Sequence, residues 1–447
     1  MSKTNNRRRN VLEQLLSLFA EVKAGEGLII ILMLANVFML LNSYYILKTV
    51  RESLILTGGM LGLKGSELKI YASAGQAALL LGLVPLYGWL GSRFNRIRLI
   101  NTTTVFFIGC LVVFYFLARL ELALGLAFYL WLGIFNMFVI AQFWSYANDI
   151  YSEAQGKRLF AIIAVGGSLG AILGPAIAST DLINDYELML VAAGILGLCM
   201  FLYNVVNRLV AAIPASDSED TAEASKQDEE PLSKDGGFQL VLQDKYLLLI
   251  AVMLLIANLI NTTGEFILAE TASAYVETTE GASFRDFYGS FYSTVNLIGL
   301  LIQAFLVSRI FKLVGVRGAL FILPVIAFGG YALIGLIGGI ALIRAAKTAE
   351  NSTDYSLQNT VRQSLFLPTS REVKYKAKAA IDTFFVRAGD AAAAGLVALG
   401  THVLAFGLEH FAFINVGLAA IWIAIVAAIG RRYSELSEQA PTAKARD

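Results

Sequence analysis

Runs of about 20 predominantly apolar residues recur along the whole chain, and no other feature of the sequence restricts its fold as strongly. A helix of roughly 20 residues spans the hydrocarbon core of a bilayer, about 30 Å thick, and satisfies its own backbone hydrogen bonds there. The 447 residues are 57% hydrophobic and 15% charged, whereas about a quarter of an average soluble domain is charged. A membrane barrel would need shorter segments that alternate in polarity. The sequence therefore predicts an all-α, polytopic membrane protein.

Twelve transmembrane helices are predicted from these runs. Their limits are 27–57, 70–92, 98–118, 122–150, 157–180, 186–212, 246–270, 285–311, 316–338, 339–366, 376–404 and 410–430. The division between the ninth and tenth spans rests on the glycines of FGGYALIGLIGG, because almost no polar loop separates them.

Basic residues concentrate in alternate loops and at both ends of the predicted bundle. They cluster at residues 7–9, 93–98, 157–158, 309–317, 371–378 and 431–432. Because cytoplasmic loops are enriched in Lys and Arg, both termini are predicted to be cytoplasmic, with the protein in a plasma membrane, such as a bacterial inner membrane. Residues 214–237 hold eight acidic and two basic residues and few apolar ones, which predicts a disordered cytoplasmic linker.

The two halves of the chain look like repeats. An offset of 219 residues superposes Arg98 on Arg317, Gly170 on Gly389 and Asn42 on Asn261. Two parallel six-helix halves with a central linker resemble the major facilitator superfamily, which places its substrate site between the halves. The predicted divisions are a basic N-terminus (1–26), a first bundle (27–213), a linker (214–245), a second bundle (246–430) and a tail (431–447).

Three charges interrupt the first span, in the stretch NSYYILKTVRESLIL. Lys48, Arg51 and Glu52 share one helical face, since residues three or four apart are neighbours on a helix. A structural Lys48–Glu52 pair would leave the guanidinium of Arg51 for a ligand, and Tyr44 supplies an aromatic ring. Charges within a membrane helix indicate a functional cavity, although an interfacial position is the alternative.

The first span of the second half carries a polar stripe. Asn258, Asn261, Thr262 and Glu265 recur at helical spacing. Such a stripe either faces the central cavity or forms a hydrogen-bonded seam between helices. We predict that Asn261 and Glu265 contact the substrate.

Polar residues also occur in the fourth, tenth and eleventh spans. The fourth span ends with Asn148, which can donate and accept hydrogen bonds, and Asp149, which is predicted to gate or to join a loop ion network with Lys157 and Arg158. In the tenth and eleventh spans the candidates are Arg344, Lys347, Glu350, Asn351, Asp354, Asp382, Arg387 and Asp390. A lipid-facing stripe of this kind is untenable, so it is predicted to line protein or water.

Assembled in this way, the chain resembles the ATP/ADP translocases of plastids and obligate intracellular bacteria. The resemblance covers nearly all of residues 25–430 and rests on YYILKTVRESLILT, FWSYANDIYSEAQGKRLFAII and SLFLPTSREVKYKAKAAID. It implies exchange of nucleotides, and the carrier is separately predicted to be a monomer. It also implies that Arg51 takes the place of the family's lysine in the first helix, that Glu265 matches its seventh-helix glutamate, and that Arg387 lies near its late lysine. The fourth-helix glutamate has no clear counterpart beyond Asn136 or Gln142.

These observations together predict a secondary transporter of a small anionic solute, with a nucleotide as the first candidate. The predicted substrate-binding residues are Tyr44, Lys48, Arg51, Asn148, Asn261, Glu265, Lys347 and Arg387, and the predicted coupling or gating residues are Glu52, Asp149, Glu350, Asp354 and Asp390. A proton-coupled carrier, in which Glu265 or Asp390 titrates, is one alternative, and a non-transporting scaffold is another. No enzymatic activity, metal, cofactor or nucleic-acid partner is predicted, because the sequence offers no nucleophile–base pair and has two histidines.

Overall fold

The computed structural model describes residues 22–443 except 24, 60–61, 94–95, 121, 152, 181, 213–236, 371–372 and 374–376. The predicted basic N-terminus up to residue 21 and most of the predicted linker lie outside the described residues. The part of the predicted tail up to Ala443 is helical.

The first half contains six long helices. They are α1 (Gly27–Thr57), α2 (Gly65–Arg93), α3 (Arg96–Ala118), α4 (Gly125–Ile150), α5 (Glu153–Ala178) and α6 (Asp185–Ala211). The start of α6 is fixed by Asn184, whose side chain accepts from the backbone N–H groups of Tyr186 and Glu187 while Glu187 reaches back, which forms a capping box.

The second half begins with a two-turn helix, Gly237–Gln243, and adds six further helical segments. They are α7 (Lys245–Thr278), α8 (Phe284–Leu301 with Ile302–Leu306 and Val307–Ala319), α9 (Ile322–Leu336), α10 (Ile340–Thr353 with Asp354–Gln358 and Asn359–Ser364), α11 (Lys378–Ala380 with Ile381–Phe385 and Val386–His402) and α12 (Leu408–Ala443). The middle pieces of α8, α10 and α11 are π-helical.

Each of the twelve predicted spans contains a helix, so the predicted fold class is confirmed. In the described part of the chain, nine helices are long and apolar enough by length and composition to cross a membrane. The glycines between the ninth and tenth spans do separate them, since Gly338 and Gly339 have φ of 67° and 92°, a region that glycine adopts without strain. The largest boundary error at a functional position is in α2, which begins at Gly65 and not at 70.

Close backbone contacts join α1 to α5. Gly170 of α5 lies so near the carbonyl oxygen of Phe38 and the N–H of Asn42 that a Cβ atom would overlap them. The equivalent Gly389 of α11 lies against α7, where a Cβ would come within 2.7 Å of the Leu255 carbonyl oxygen. The same helix pair is therefore packed through a small residue in both halves, as expected for helices associating in a bilayer.

The two halves meet along α5 and α8. Asn296 Nδ2 of α8 donates to the Ala171 carbonyl at 2.9 Å, and Arg285 Nη1 lies 3.2 Å from Asp185 Oδ1. The second of these contacts lies near the ends of helices joined by loops that are poor in Lys and Arg.

A second seam joins α2 to α11 and α7 at this same end. His402 Nε2 lies 3.8 Å from Glu67 Oε1, and Ser66 Oγ donates to a Glu270 carboxylate oxygen. The contacts between the halves thus hold this end of the molecule together and leave a cavity nearer the middle.

Candidate functional site

A cavity of about 270 Å³ lies between the two halves. Its lining residues come from α1, α2, α4, α7, α8, α10 and α11, and they include Tyr44, Lys48, Arg51, Lys69, Tyr129, Asn258, Asn261, Thr262, Glu265, Tyr292, Tyr355, Arg387 and Asp390. The structure therefore brings six of the eight predicted substrate-binding residues to one cavity.

Glu52 is the centre of an ion cluster behind the first-half wall. Its side chain is fully buried, and one carboxylate oxygen accepts from the guanidinium of Arg51. Lys69 Nζ of α2 lies 2.8 Å from the other oxygen, and the Tyr292 hydroxyl of α8 donates to Glu52 Oε1 at 3.1 Å. A buried carboxylate is tolerated when cations and hydrogen bonds surround it in this way, so Glu52 holds two of the cavity's cations in place.

Lys48 is arranged differently from its neighbours. The Lys48–Glu52 pair considered from the spacing is not formed, because Glu52 is directed at Arg51 and at Lys69 from the adjacent helix. Lys48 Nζ instead lies 4.1 Å from the centre of the Tyr292 ring and 5.2 Å from that of Tyr45. Among the described residues, none places a carboxylate oxygen within 4.0 Å of this ammonium group. Contact with aromatic faces stabilises the cation but does not supply an ion-pair partner.

Glu265 connects the halves through lysines on both sides. Its Oε2 lies 3.4 Å from Lys69 Nζ of the first half, and its Oε1 lies 3.8 Å from Lys347 Nζ of the second. Asn351 Nδ2 donates to Oε1 at 3.1 Å. The seventh-helix stripe thus faces the cavity at this point and bonds to neighbouring helices at the same time.

Lys347 lies behind the cavity wall. It is 1% exposed, bonds to Glu350 Oε2 at 2.9 Å, and donates to Asn261 Oδ1 at 3.0 Å. The Tyr331 hydroxyl completes the cluster by donating to Glu350 at 2.7 Å. In this arrangement Lys347 orients Asn261, which does line the cavity.

Arg387 and Asp390 form a pair on the opposite wall. Arg387 Nη1 lies 3.1 Å from Asp390 Oδ2, while Asn258 and Thr262 both donate to Asp390 Oδ1 at 2.8 Å. The carboxylate therefore fixes the α7–α11 contact and partly neutralises the guanidinium. Arg387 remains 36% exposed and faces the cavity.

Two predicted residues of the fourth span lie away from this cavity. Asn148 is exposed in the last turn of α4, and its predicted contact with substrate is not supported by this placement. Asp149 pairs with Arg96 of α3, and Arg158 pairs with Glu26 at 3.0 Å. Asp149 and Arg158 thus each contact a residue outside the predicted network, and the side chain of Lys157, its third member, lies outside the described residues.

Lys69 is the most important residue that the sequence did not indicate. It is 5% exposed, yet it lines the cavity and contacts both Glu52 and Glu265. The segment SELKIYASAG would have indicated it had the second span been started at Gly65, because Lys69 would then have been a charge inside a membrane helix.

Both the sequence and the fold are similar to those of known proteins. The sequence model of the Major Facilitator Superfamily matches residues 27–349. The chain belongs to the Major Facilitator Superfamily. Its fold is similar to that of a POT family transporter crystallised with 5-aminolevulinic acid (TM-score 0.66, 15% identity, 91% of this chain and 96% of that one). It is also similar to the nucleoside transporter NupG (TM-score 0.64, 13% identity, 90% and 98%). This major facilitator protein is therefore a membrane transporter and not an enzyme.

The resemblance to ADP/ATP carriers is also confirmed. This superfamily member is 23% identical to ADP,ATP carrier protein 2 of Chlamydia trachomatis, over 89% of its own length and 86% of the relative's. It is 22% identical to ADP,ATP carrier protein 3 of Rickettsia felis, over 66% and 67% respectively. The transporter is thus a distant relative of these carriers.

Proposed function

We propose that this transporter exchanges nucleotides, or closely related organic phosphates, across a plasma membrane by alternating access. The observation that carries the proposal is Lys48, an ammonium group on the cavity wall that lies against tyrosine rings and meets no carboxylate in the described part of the chain. A phosphate or carboxylate of the substrate supplies the missing anion, because hydrogen bonds that involve charged groups are stronger than those between neutral groups.

The neighbouring cations support the same substrate class. Arg51, Lys69 and Arg387 line the cavity with Lys48, but each of them already contacts a carboxylate. A substrate phosphate competes with Glu52 and Glu265 for Lys69, and with Asp390 for Arg387. Occupation of the cavity therefore loosens the pair between Lys69 and Glu265, which joins the halves. In a rocking carrier this favours movement of the loaded protein over the empty one, which is the requirement for exchange.

Aromatic residues supply a surface for a planar group. The rings of Tyr44, Tyr129 and Tyr355 border the cavity, and base–aromatic stacking contributes about 1–3 kcal/mol per base in other proteins. The names of the Chlamydia and Rickettsia relatives agree with a nucleotide.

The proposal is tested with the purified protein in liposomes. Liposomes preloaded with ADP should take up labelled ATP rapidly, whereas empty liposomes and liposomes loaded with an uncharged nucleoside should not. Uptake that ignores the internal nucleotide but follows an imposed pH gradient would instead indicate the proton-coupled alternative, for which Glu265 and Asp390 are the carboxylates at the cavity.

A further inference from the structure

A second cavity adjoins the central one on its second-half side. It measures about 250 Å³ and lies between α7 and α10. Leu254 and Ala257 form its apolar side, and Asp354, Tyr355, Gln358 and Arg362 form its polar side. Tyr355 borders both cavities, so a ligand that occupies both would contact this ring.

Gln358 is the unusual member of this second cavity. It is 4% exposed, and neither its amide nitrogen nor its amide oxygen meets a hydrogen-bond partner in the described part of the chain. The Nε of Arg362 is likewise buried without a partner there. A buried polar group left unsatisfied costs about 1–3 kcal/mol, and a ligand that forms hydrogen bonds with Gln358 would remove that cost.

The backbone at this position is also irregular. Residues Asp354–Gln358 form a π-helical segment within α10. Such segments are rare and occur frequently at functional sites. Here the segment contains Asp354, Tyr355 and Gln358, three of the residues that line the second cavity.

The chemistry of the second cavity selects against a second phosphate and against a metal ion. Asp354 would repel an added anion, and Arg362 would repel an added cation. An amide offers one donor and one acceptor side by side, the pattern with which glutamine recognises the edge of adenine. The carboxylate of Asp354 can accept from an exocyclic amino group, and the ring of Tyr355 or the guanidinium of Arg362 can stack on a planar heterocycle.

We infer that the cavity lined by Asp354, Gln358 and Arg362 is the subsite for the nucleobase, while the phosphates of the same substrate lie against Lys48 and Lys69. This inference rests on the proposed exchange of nucleotides and assigns the second-half cavity a role in selecting the base. The substrate then spans both cavities, with Tyr355 between its charged and its uncharged ends. Lys48 Nζ lies 6.0 Å from the centre of that ring.

The test compares ADP with pyrophosphate, which carries linked phosphates and no base. Dissociation constants are measured by calorimetry on the purified full chain, with Gln358→Leu and Asp354→Asn as variants. Gln363→Leu is the matched control, because Gln363 is an exposed glutamine on the same helix outside both cavities. Gln358→Leu and Asp354→Asn should each weaken ADP binding by about tenfold or more, equivalent to about 1.4 kcal/mol, and leave pyrophosphate binding within about twofold. Gln363→Leu should bind both ligands as the wild type does.

The outcomes separate this inference from the proposed function. Unchanged ADP binding in both variants, or an equal loss for ADP and pyrophosphate, would overturn the base subsite while leaving nucleotide exchange in place. A wild-type protein that binds neither ADP nor ATP would overturn the proposed exchange of nucleotides itself. Asp354→Asn preserves the shape of the side chain, so it decides the question even if Gln358→Leu does not fold.

Discussion

The two halves of the protein offer opposite chemistry to the same cavity. The first half contributes Lys48, Arg51 and Lys69, whereas the second contributes Glu265 and a pair formed by Arg387 and Asp390. The halves nevertheless have equivalent helices. At the offset of 219 residues, Lys48 corresponds to Ile267 and Glu265 to Ile46, and both isoleucines are fully buried.

The repeats thus share their helix packing and not their charges. Gly170 and Gly389 hold equivalent helix pairs together, but the polar faces of α1 and α7 are built from non-equivalent positions. A substrate anion therefore meets cations mainly on the first-half side of the cavity. On the second-half side it meets carboxylates that it can replace as partners of the cations. Because the two halves carry different charges, single substitutions can test the role of each charge separately.

The largest effect is expected from Lys48→Ala, which removes the cation that has no carboxylate partner among the described residues. A hydrogen bond to a charged group contributes about 1.5–3 kcal/mol, so the dissociation constant for the anionic substrate should rise roughly 10- to 100-fold. Lys48→Arg should restore part of the binding, because it retains the charge and changes the geometry. Calorimetry with ADP measures both variants.

The matched control is Lys64→Ala, since Lys64 is an exposed lysine in the loop before α2. It should bind as the wild type does. If Arg51→Ala weakens binding more than Lys48→Ala, then Glu52 does not neutralise Arg51 as the structure indicates, and the ranking of the two cations is reversed.

The partners of Glu52, on which that ranking depends, could not be predicted from the sequence. Helical spacing put Lys48, Arg51 and Glu52 on one face and allowed a pair between Lys48 and Glu52, whereas in the structure Glu52 contacts Arg51 and Lys69. The pairing is decided by Lys69 on a neighbouring helix and by side-chain direction, neither of which is encoded in the spacing along one helix. The fold was predictable because apolar runs and basic loops are local signals, whereas ion pairs between helices are not.

The second prediction concerns the link between the halves. Glu265→Gln keeps the shape of the side chain but removes the charge that holds Lys69 and Lys347. The empty carrier should then change state more easily, so efflux from loaded liposomes into a medium without nucleotide should accelerate. A change of about 1.4 kcal/mol in the barrier corresponds to about tenfold in rate.

Glu277→Gln is the control for this experiment, because Glu277 is exposed near the end of the same helix. Its efflux should stay at the wild-type rate. Efflux that remains strictly dependent on external nucleotide in Glu265→Gln would mean that the pair is a packing contact and that exchange is enforced elsewhere.

The third prediction tests the feature that the halves share. Gly170→Ala forces a methyl group against the Phe38 carbonyl, and Gly389→Ala forces one to within 2.7 Å of the Leu255 carbonyl. Overpacking typically costs about 1–3 kcal/mol, so both variants should melt several degrees below the wild type in detergent. Gly194→Ala should not, because no atom lies within 4 Å of a Cβ there. Equal stability of all three would contradict the close packing of these helices.

The smallest effect is expected from cutting the chain between the halves. Residues 214–237 carry eight acidic residues and few apolar ones, the composition from which a disordered linker is predicted. The contacts of Asn296 with Ala171 and of Arg285 with Asp185 join the halves independently of that segment. A protease site inserted after Ser225 should therefore be cleaved in inside-out vesicles and not in right-side-out ones. Exchange after cleavage should stay within about twofold of the uncut protein, since the interface between the packed halves is unchanged. Cleavage from the outside would reverse the predicted orientation. Loss of exchange on cleavage would mean that the halves depend on the linker and are not held by their own interface.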